Sequence, residues 1–346
     1  MLPRPVPALF SYLVRTRSAP FLGVHRTSEP QQYYFGPMGS DSKMNEDYVL
    51  ARFDRLVEEG TVVYNEDYRT VTVLDQGLPV RPTLSSPLTE LCLTLFQFEF
   101  RILKSHTTKP QAPREPQKPS SSQQPGCRPG GDIGVAGFEM ATLGSTHLLM
   151  ANKFPAARPH LLILTQDGFR RQWEALDIDD LTAAHQGISS LSSRHLLLFN
   201  CGIDGGCSRL HKHMQLIPAP DPDKFTLWLD AEEPQLPFKF FIHRFRDGLP
   251  PPDKLLGIYE ALLRRAERAV DHAALEGETA IPHNVIMDRK WLVVIPRRSG
   301  SWDDIGANAA SMLGMVWVQN EETMDIWLER GPANVLARLG VPVDAS

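Results

Sequence analysis

The segment RLHKHMQLIP at residues 209–218 constrains the local backbone more tightly than any other stretch of this chain. It places His211, His213 and Gln215 two residues apart. Because successive side chains of a β-strand point to opposite faces, this period of two predicts a strand over 210–217 with both imidazoles and the amide on one face. The opposite face then carries Lys212, Met214 and Leu216.

The segment just upstream, NCGIDGGCSR at residues 200–209, favours anion binding. Its three glycines let backbone N–H groups approach a phosphate, and Asn200, Ser208 and Arg209 add side-chain donors. A neutral imidazole is nucleophilic near pH 7 and can attack phosphorus. The combined pattern predicts phosphate chemistry at a histidine, although two histidines alone could equally line a core or a surface.

A zinc site is another interpretation of the paired histidines, but it needs further ligands, for which His243 and His283 are the candidates. The four cysteines contain no C-x-x-C pair, which favours reduced thiols in an intracellular protein over a disulfide scaffold or structural zinc. They are Cys92, Cys127, Cys201 and Cys207.

Charge and hydropathy exclude two classes of partner. The 346 residues carry a formal net charge of −5, so no overall basic field points to nucleic acid. The chain has no apolar run of about 18 residues or more, so it predicts no transmembrane helix.

The sequence divides into three parts. Residues 1–44 are predicted to be a disordered leader. This segment contains arginines but no acidic residue before Glu29, which is also typical of an organellar transit peptide. Residues 45–219 form the catalytic domain, interrupted at 105–131 by a proline-rich segment that predicts a flexible insertion. Residues 220–346 form a C-terminal domain.

Apolar periodicity predicts helices at 45–60, 177–191, 252–270 and 333–340. Short apolar runs predict strands within 91–103, 147–155, 159–165, 195–200, 283–288, 291–296 and 312–318. Strands and helices do not alternate regularly, which favours an α+β fold.

Five segments together resemble the diadenosine tetraphosphate phosphorylase (ATP adenylyltransferase) family, in the nucleotidyltransferase branch of the histidine-triad superfamily. They are NKFP at 152–155, PHLLILT at 159–165, FNCGIDGGCSRLHKHMQLIP at 199–218, PHNVIMDRKWLVVIPR at 282–297 and NAASMLGM at 308–315. The resemblance covers roughly residues 45–340. It implies a histidine-triad-like mixed or antiparallel sheet with flanking helices, elaborated by a C-terminal α+β segment.

The resemblance also implies the reaction and its residues. His213 matches the nucleophile that forms an adenylyl-histidine, so that phosphorolysis of diadenosine tetraphosphate yields ATP and ADP reversibly. Gln215 matches the donor to a phosphate oxygen, and His211 matches the brace of the nucleophile. The remaining substrate-binding positions implied are Lys109, Asn152, Lys153, Asn200, Gly206, Cys207, Ser208, Arg209, Asn308, Ala309, Ala310, Met315 and Gln319.

Two positions depart from the family pattern. Gln319 stands where the family usually has a lysine, which puts the affinity for the terminal phosphates in doubt. His283 stands where an aromatic or small residue is expected. Arg297 and Arg298 are either solvated or contribute to phosphate binding. Trp291 and Trp317 are interpreted as core residues rather than base-stacking platforms.

Two other functions stay open at this point. A uridylyltransferase or a dinucleoside polyphosphate hydrolase of the same superfamily is one, and a non-catalytic nucleotide sensor is the other. No cofactor is required, although Mg²⁺ could be bound with the polyphosphate. The expected partners are diadenosine polyphosphates, ATP, ADP and phosphate, with no nucleic acid and no membrane. The chain is expected to be a monomer in the cytoplasm, or in mitochondria or another organelle if the leader is a transit peptide.

Overall fold

The computed structural model describes residues 15–16, 44–65, 68–76, 95–103, 126–270 and 280–343. Lys109, Cys92, most of the leader and residues 105–125 of the insertion lie outside the described residues. Among the described residues, no helix is both long enough and apolar enough to cross a membrane.

Six helices and fourteen strands occur in the described part of the chain. The helices are α1 (Glu46–Glu58), α2 (Ile178–Ser189), α3 (Pro252–Ala269), α4 (Ala309–Met312), α5 (Glu321–Arg330) and α6 (Pro332–Leu339). The first seven strands are β1 (Arg15–Thr16), β2 (Arg69–Gln76), β3 (Leu95–Ile102), β4 (Glu139–Leu143), β5 (His147–Ala151), β6 (Leu161–Thr165) and β7 (His195–Cys201). The other seven are β8 (His213–Pro218), β9 (Phe241–Arg244), β10 (His283–Met287), β11 (Trp291–Pro296), β12 (Ser301–Trp302), β13 (Ile305–Gly306) and β14 (Met315–Val318).

The main sheet has eight antiparallel strands in the order β4-β5-β6-β8-β7-β10-β11-β9. A second sheet has the order β1-β2-β3-β14, in which β3 and β14 are parallel. The fold is therefore α+β with a mainly antiparallel sheet, as the sequence predicted. The main sheet contains strands from both sides of residue 220, since β7 pairs with β10. The division into two domains at this residue stays a prediction from the sequence.

The main sheet has apolar side chains on both faces because both faces are covered. Met214 and Leu216 of β8 pack in one hydrophobic cluster with residues of α1, α2 and α3. Ile217 packs in the other cluster with residues of β3, β14 and α6. The predicted alternation is confirmed from His213 onwards, and it puts His213 and Gln215 on the face of the main sheet that looks towards β3, β14 and the C-terminal helices.

The predicted helices begin and end close to the observed ones. Asn45 caps α1 by accepting a 2.9 Å hydrogen bond from the Tyr48 backbone. Asp177 and Asp180 form a capping box at the start of α2. In α3, Leu255, Tyr259, Leu262, Leu263 and Ala266 form the buried stripe. Leu256, which belongs to the same apolar run, is only partly buried.

Two predictions of strand limits need correction. The strand predicted over 210–217 begins at His213, and His211 makes only an isolated bridge with Arg171. The strand predicted over 312–318 begins at Met315, because Asn308 caps the short helix α4 and Gly314 has a φ of 90°. The sequence interpretation also missed β2, β4 and α5, which have few consecutive apolar residues.

Candidate active site

His213 opens β8, which lies between β6 and β7 in the main sheet. Its Nδ1 lies 2.8 Å from the backbone oxygen of His211. Because a carbonyl oxygen can only accept, Nδ1 carries the proton in this hydrogen bond. In the neutral ring the lone pair is therefore on Nε2. The side chain is buried, with a residue exposure of 7%, so the ring has little rotational freedom.

Gln172 fixes the backbone of His213 from the adjacent segment. Its Oε1 accepts from the His213 N–H at 2.8 Å, and its Nε2 donates to the His213 carbonyl at 2.9 Å. The same Nε2 lies 3.1 Å from the carbonyl of Asn200, at the end of β7. One buried amide thus ties the nucleophile candidate to the start of the glycine loop, which we define as residues 200–209. The sequence interpretation missed Gln172, because no local pattern marks an amide that bonds to distant backbone groups.

His211 supports His213 through its backbone rather than through its ring. The imidazole is fully buried, and its Nε2 lies 2.9 Å from the Thr165 carbonyl and 3.0 Å from Thr165 Oγ1. Burial lowers the pKa of this imidazole, although the Thr165 carbonyl acts in the opposite direction. Its Nδ1 is a buried atom without a hydrogen-bond partner in the described structure, and it faces Gly131. A Cβ at Gly131 would come within 2.6 Å of Nδ1, so the ring leaves no room for a larger residue there.

The amide of Gln215 is oriented by His160, which the sequence analysis did not single out. His160 Nδ1 accepts from the Ala156 N–H at 3.1 Å, so its proton resides on Nε2. This Nε2 lies 2.9 Å from Gln215 Oε1. With Oε1 engaged as an acceptor, the NH₂ group of Gln215 is the part of the amide left to donate to a ligand. Asn152 Nδ2 lies 3.1 Å from the same His160 nitrogen, so the predicted residue Asn152 is also at this site.

The glycine loop packs against the N-terminal end of α4. A Cβ at Gly206 would lie 2.3 Å from the Ala307 carbonyl oxygen, and Gly206 has a φ of 84°. Both conditions require glycine. Asn200 also joins the glycine loop to α4, since its Oδ1 accepts a hydrogen bond from the Ala309 N–H at 2.8 Å. The same oxygen accepts from Asn284 Nδ2 at 2.9 Å. The fold therefore brings Asn200 and Gly206 together with Asn308 and Ala309 across about a hundred residues of sequence.

Arg297 lies behind the glycine loop and is not solvated. It is among the largest fully buried side chains, with an exposure of 1%. Among the described residues, its guanidinium donates to neutral acceptors alone, including Asn284 Oδ1 at 2.7 Å and the Ala307 carbonyl at 2.9 Å. Burial without a paired carboxylate lowers its pKa to about 9, and Asp204 acts in the opposite direction. A buried cation beside the loop raises the electrostatic potential there and favours an anion.

The other predicted substrate-binding residues differ in how far their side chains are exposed to solvent. Ala309, Ala310 and Met315 are buried, so only their backbone atoms or a small part of their surface could face a ligand. Lys153 is exposed, with its Nζ 5.6 Å from the Phe154 ring centroid. Gln319 is exposed directly after β14. Cys207, Ser208 and Arg209 of the glycine loop have partly buried side chains.

The two candidates for further zinc ligands have other surroundings. His283 is fully buried, with Nδ1 2.7 Å from the Ile281 carbonyl and Nε2 3.0 Å from the Tyr259 hydroxyl. Burial lowers its pKa to about 4, so the ring is neutral and structural. His243 lies on the exposed edge strand β9. Within the described ranges, no group of three or more His, Cys, Asp or Glu residues could hold a metal ion.

Two family models match consecutive parts of the chain. The Ap4A phosphorylase N-terminal domain matches residues 93–238, and the ATP adenylyltransferase C-terminal domain matches residues 234–342. The matched regions together contain every residue of the site described above.

Known relatives and solved structures agree with these matches. Diadenosine 5',5'''-P1,P4-tetraphosphate phosphorylase 2 of Saccharomyces cerevisiae is 26% identical over 262 residues, which cover 67% of this chain and 79% of the relative. Protein APA1 of the same yeast is 28% identical over 224 residues, covering 56% of this chain and 68% of the relative.

The fold is similar to that of yeast Ap4A phosphorylase Apa2, with a TM-score of 0.59, 21% identity and coverage of 86% of this chain and 97% of that chain. The Apa2 structure in complex with Ap4A gives a TM-score of 0.62 at 20% identity, covering 87% of this chain and 98% of that chain. From the matched models, the two relatives and the geometry at His213, we conclude that this chain belongs to the Ap4A phosphorylase family.

Proposed function

We propose that this chain is a nucleotidyltransferase that converts diadenosine 5',5'''-P1,P4-tetraphosphate (Ap4A) and inorganic phosphate into ATP and ADP. The observation that carries the proposal is the 2.8 Å hydrogen bond from His213 Nδ1–H to the His211 carbonyl. It places the imidazole lone pair on Nε2, on the sheet face that also presents Gln215. A buried ring in a fixed tautomer is what nucleophilic attack on phosphorus requires.

In the first step, the Nε2 lone pair of His213 attacks the phosphorus next to one adenosine. A P–N bond forms, and the bond between that phosphorus and its bridging oxygen breaks. The bridging oxygen keeps the electron pair and leaves as the terminal oxygen of ATP. The His211 carbonyl stabilises the positive charge that develops on the ring, because it accepts the Nδ1 proton.

In the second step, an oxygen of inorganic phosphate attacks the adenylyl-histidine. A P–O bond forms, the P–N bond breaks, and the electron pair returns to Nε2. ADP is released and the ring is again neutral. The sum is one Ap4A and one phosphate consumed for one ATP and one ADP formed, and each step can run in reverse.

Gln215 supports transfer rather than hydrolysis. An amide donates a hydrogen bond to a phosphate oxygen but has no proton to give up near neutral pH. His160 holds Gln215 Oε1 at 2.9 Å, so the amide keeps one orientation through both steps. We expect this arrangement to stabilise the intermediate until phosphate arrives.

The proposed chemistry uses only side chains and backbone groups, with no protein-bound metal assigned to any step. A divalent cation such as Mg²⁺ would arrive on the polyphosphate, which it binds through phosphate oxygens. One chain supplies every group named in the two steps, so we also propose that the monomer is the active form.

The test is turnover of Ap4A with and without inorganic phosphate, for the unaltered chain, His213→Ala and the control His243→Ala. His243 is an exposed imidazole on β9 and has no part in the proposed chemistry. We expect ATP and ADP only with phosphate, no turnover in His213→Ala and full turnover in His243→Ala. Mass spectrometry without phosphate should find one adenylyl group on the unaltered chain and none on His213→Ala.

Other outcomes lead to other functions. Products that form equally without phosphate would mean hydrolysis and would contradict the role given to Gln215. Binding of Ap4A without turnover in the unaltered chain would favour a nucleotide sensor. Turnover retained in His213→Ala would remove His213 from the chemistry.

A further inference from the structure

A second concave surface lies in the C-terminal part of the chain. Seven residues line this cavity of about 550 Å³, which falls within the usual range of roughly 300–1,000 Å³ for small-molecule sites. The residues are Arg298, Ser299, Ser301, Trp302, Asp303, Arg338 and Leu339. We call it the Trp302 cavity. Its lining is mostly polar, so it suits a polar ligand better than an apolar one.

The charge of the Trp302 cavity is positive. Its one carboxylate, Asp303, lies 3.2 Å from Arg330 Nη2 and is neutralised by that ion pair. Arg298 and Arg338 are exposed, and neither forms an ion pair with a carboxylate anywhere in the described part of the chain. Two guanidinium groups therefore face a shared space in which the lining carboxylate, Asp303, is paired with Arg330 rather than with either of them. Guanidinium groups bind phosphate through paired hydrogen bonds.

The cavity wall is ordered rather than a loose surface. The Arg338 guanidinium lies 4.4 Å from the centroid of the Trp302 ring, and that of Arg330 lies 4.6 Å from it. The backbone N–H groups of Arg298 and Ser299 donate to the Leu339 carbonyl at 3.0 and 3.3 Å. The backbone bonds hold the segment of Arg298 against that of Leu339, and the Trp302 ring positions the Arg338 side chain, so ligand binding costs less side-chain entropy at Arg338 than it would at a free arginine.

The cavity is separate from the hydrogen-bond network of His213 and Gln215. None of its lining residues bonds to either side chain in the described structure. It adjoins the glycine loop, and Arg297, which lies behind that loop, donates to the carbonyls of the lining residues Ser299 and Leu339 at 2.8 and 3.2 Å. A Cβ at Gly300 would lie 2.3 Å from the Ile203 carbonyl oxygen, and the Gly300 N–H lies 3.4 Å from Asp204 Oδ1.

We propose that the Trp302 cavity is a second anion-binding site that takes a short polyphosphate chain, either inorganic or carried by a nucleotide. The volume exceeds what a single phosphate needs, and the two arginines can each bind one phosphate of the same chain. The proposal concerns binding outside the site of His213 and does not rest on the proposed reaction.

The test is a titration of the full chain with sodium tripolyphosphate at constant ionic strength, followed by the ¹H–¹⁵N signal of the Trp302 indole. The signal is assigned as the one missing in Trp302→Phe. We expect a saturable shift in the unaltered chain. The variant Arg298→Gln/Arg338→Gln should weaken the apparent affinity by about a hundredfold, or about tenfold for each arginine whose charge-assisted hydrogen bonds to phosphate are removed. The control Arg246→Gln/Arg268→Gln removes the same charge from exposed positions outside the cavity and should keep the affinity.

Several results would overturn the proposal. These are no saturable shift, an equal shift with sulfate at matched ionic strength, or equal weakening in the cavity and control variants. ATP binding more tightly than tripolyphosphate would support the proposal and identify a nucleotide as the source of the chain. Thermal melting of each variant shows that it is folded.

The KM for Ap4A distinguishes this site from the substrate site. With phosphorolysis measured at low polyphosphate, Arg298→Gln/Arg338→Gln should keep the KM for Ap4A. A KM that rises in parallel with the loss of the Trp302 shift would make the cavity a part of the substrate site and would refute a separate one. If the chain has no phosphorolysis activity, the Trp302 titration still decides the proposal.

Discussion

A buried ion pair lies directly behind the nucleophile candidate, and its removal gives a prediction of defined size. Lys212 Nζ is 2.6 Å from Asp180 Oδ2, and both side chains are 1% exposed. Asp180 Oδ1 is 3.0 Å from His147 Nε2. Burial raises the pKa of Asp180, but the hydrogen bond from His147 and the charge of Lys212 outweigh it and hold the pKa well below the usual range. The Asp180 carboxylate is therefore ionised and buried.

Lys212→Met keeps the aliphatic stem and removes the ammonium group, so that the buried carboxylate loses its cation. Breaking one partner of such a pair costs about 3–5 kcal/mol. The whole free energy of unfolding of a domain is typically about 5–15 kcal/mol, so the loss should be plain in urea denaturation at pH 7. Asp180→Asn should cost a similar amount, because it leaves Lys212 unpaired.

The double variant Lys212→Met/Asp180→Asn should cost less than the sum of the two single variants, because neither unpaired charge remains. A matched control is the pair Glu260 and Arg264, at 3.7 Å with exposures of 51% and 59%. Its removal should cost less than about 1 kcal/mol. A cost below about 1 kcal/mol for Lys212→Met, or additive single variants, would refute the reasoning.

Three further predictions follow from the site and the termini of its helices. His160→Ala should lower kcat because Gln215 loses its orientation, and Gln215→Ala should lower kcat about 10²–10³-fold. Because His160 acts through Gln215, the double variant should have the same kcat as Gln215→Ala in the same steady-state assay. Glu46 is partly buried, which raises its pKa, but hydrogen bonds from two serines lower it to about 2. The stability from Glu46 is present above pH 4.5 and is lost as pH falls towards 2, so Glu46→Gln should flatten the acid limb of a plot of unfolding free energy against pH. Arg297→Lys keeps the charge with fewer donors and should raise the KM for Ap4A less than Arg297→Met does, whereas equal KM values in both variants would contradict an electrostatic role.

Much of the local structure could be predicted from the sequence, since it depends on short-range patterns. The period of two at His211, His213 and Gln215 indicated one shared face, and Met214 and Leu216 pack on the opposite face as expected. The helices predicted at 45–60 and 252–270 depended in the same way on apolar periodicity, because a helix repeats every 3.6 residues.

The supporting residues of the site could not be predicted in the same way. Gln172 reaches the His213 backbone from 41 residues away, and Arg297 reaches Ala307 and Asn284 through contacts that no periodicity encodes. The His211 carbonyl supplies the contact to His213, and the sequence does not show which backbone oxygen accepts a hydrogen bond, because every residue has one. His160 was inside a quoted motif, yet its partner Gln215 is 55 residues away.

The sequence by itself determined the segment that carries the chemistry, because strand alternation and the glycine loop are encoded by neighbouring residues. It also determined the family, since several motifs occur in a fixed order. Tertiary structure alone decided which atoms orient His213 and Gln215, and how residues on both sides of position 220 share one sheet. The physical reason is range: backbone geometry follows from adjacent residues, whereas hydrogen bonds and buried charges depend on groups that only the folded chain brings within about 3 Å of each other.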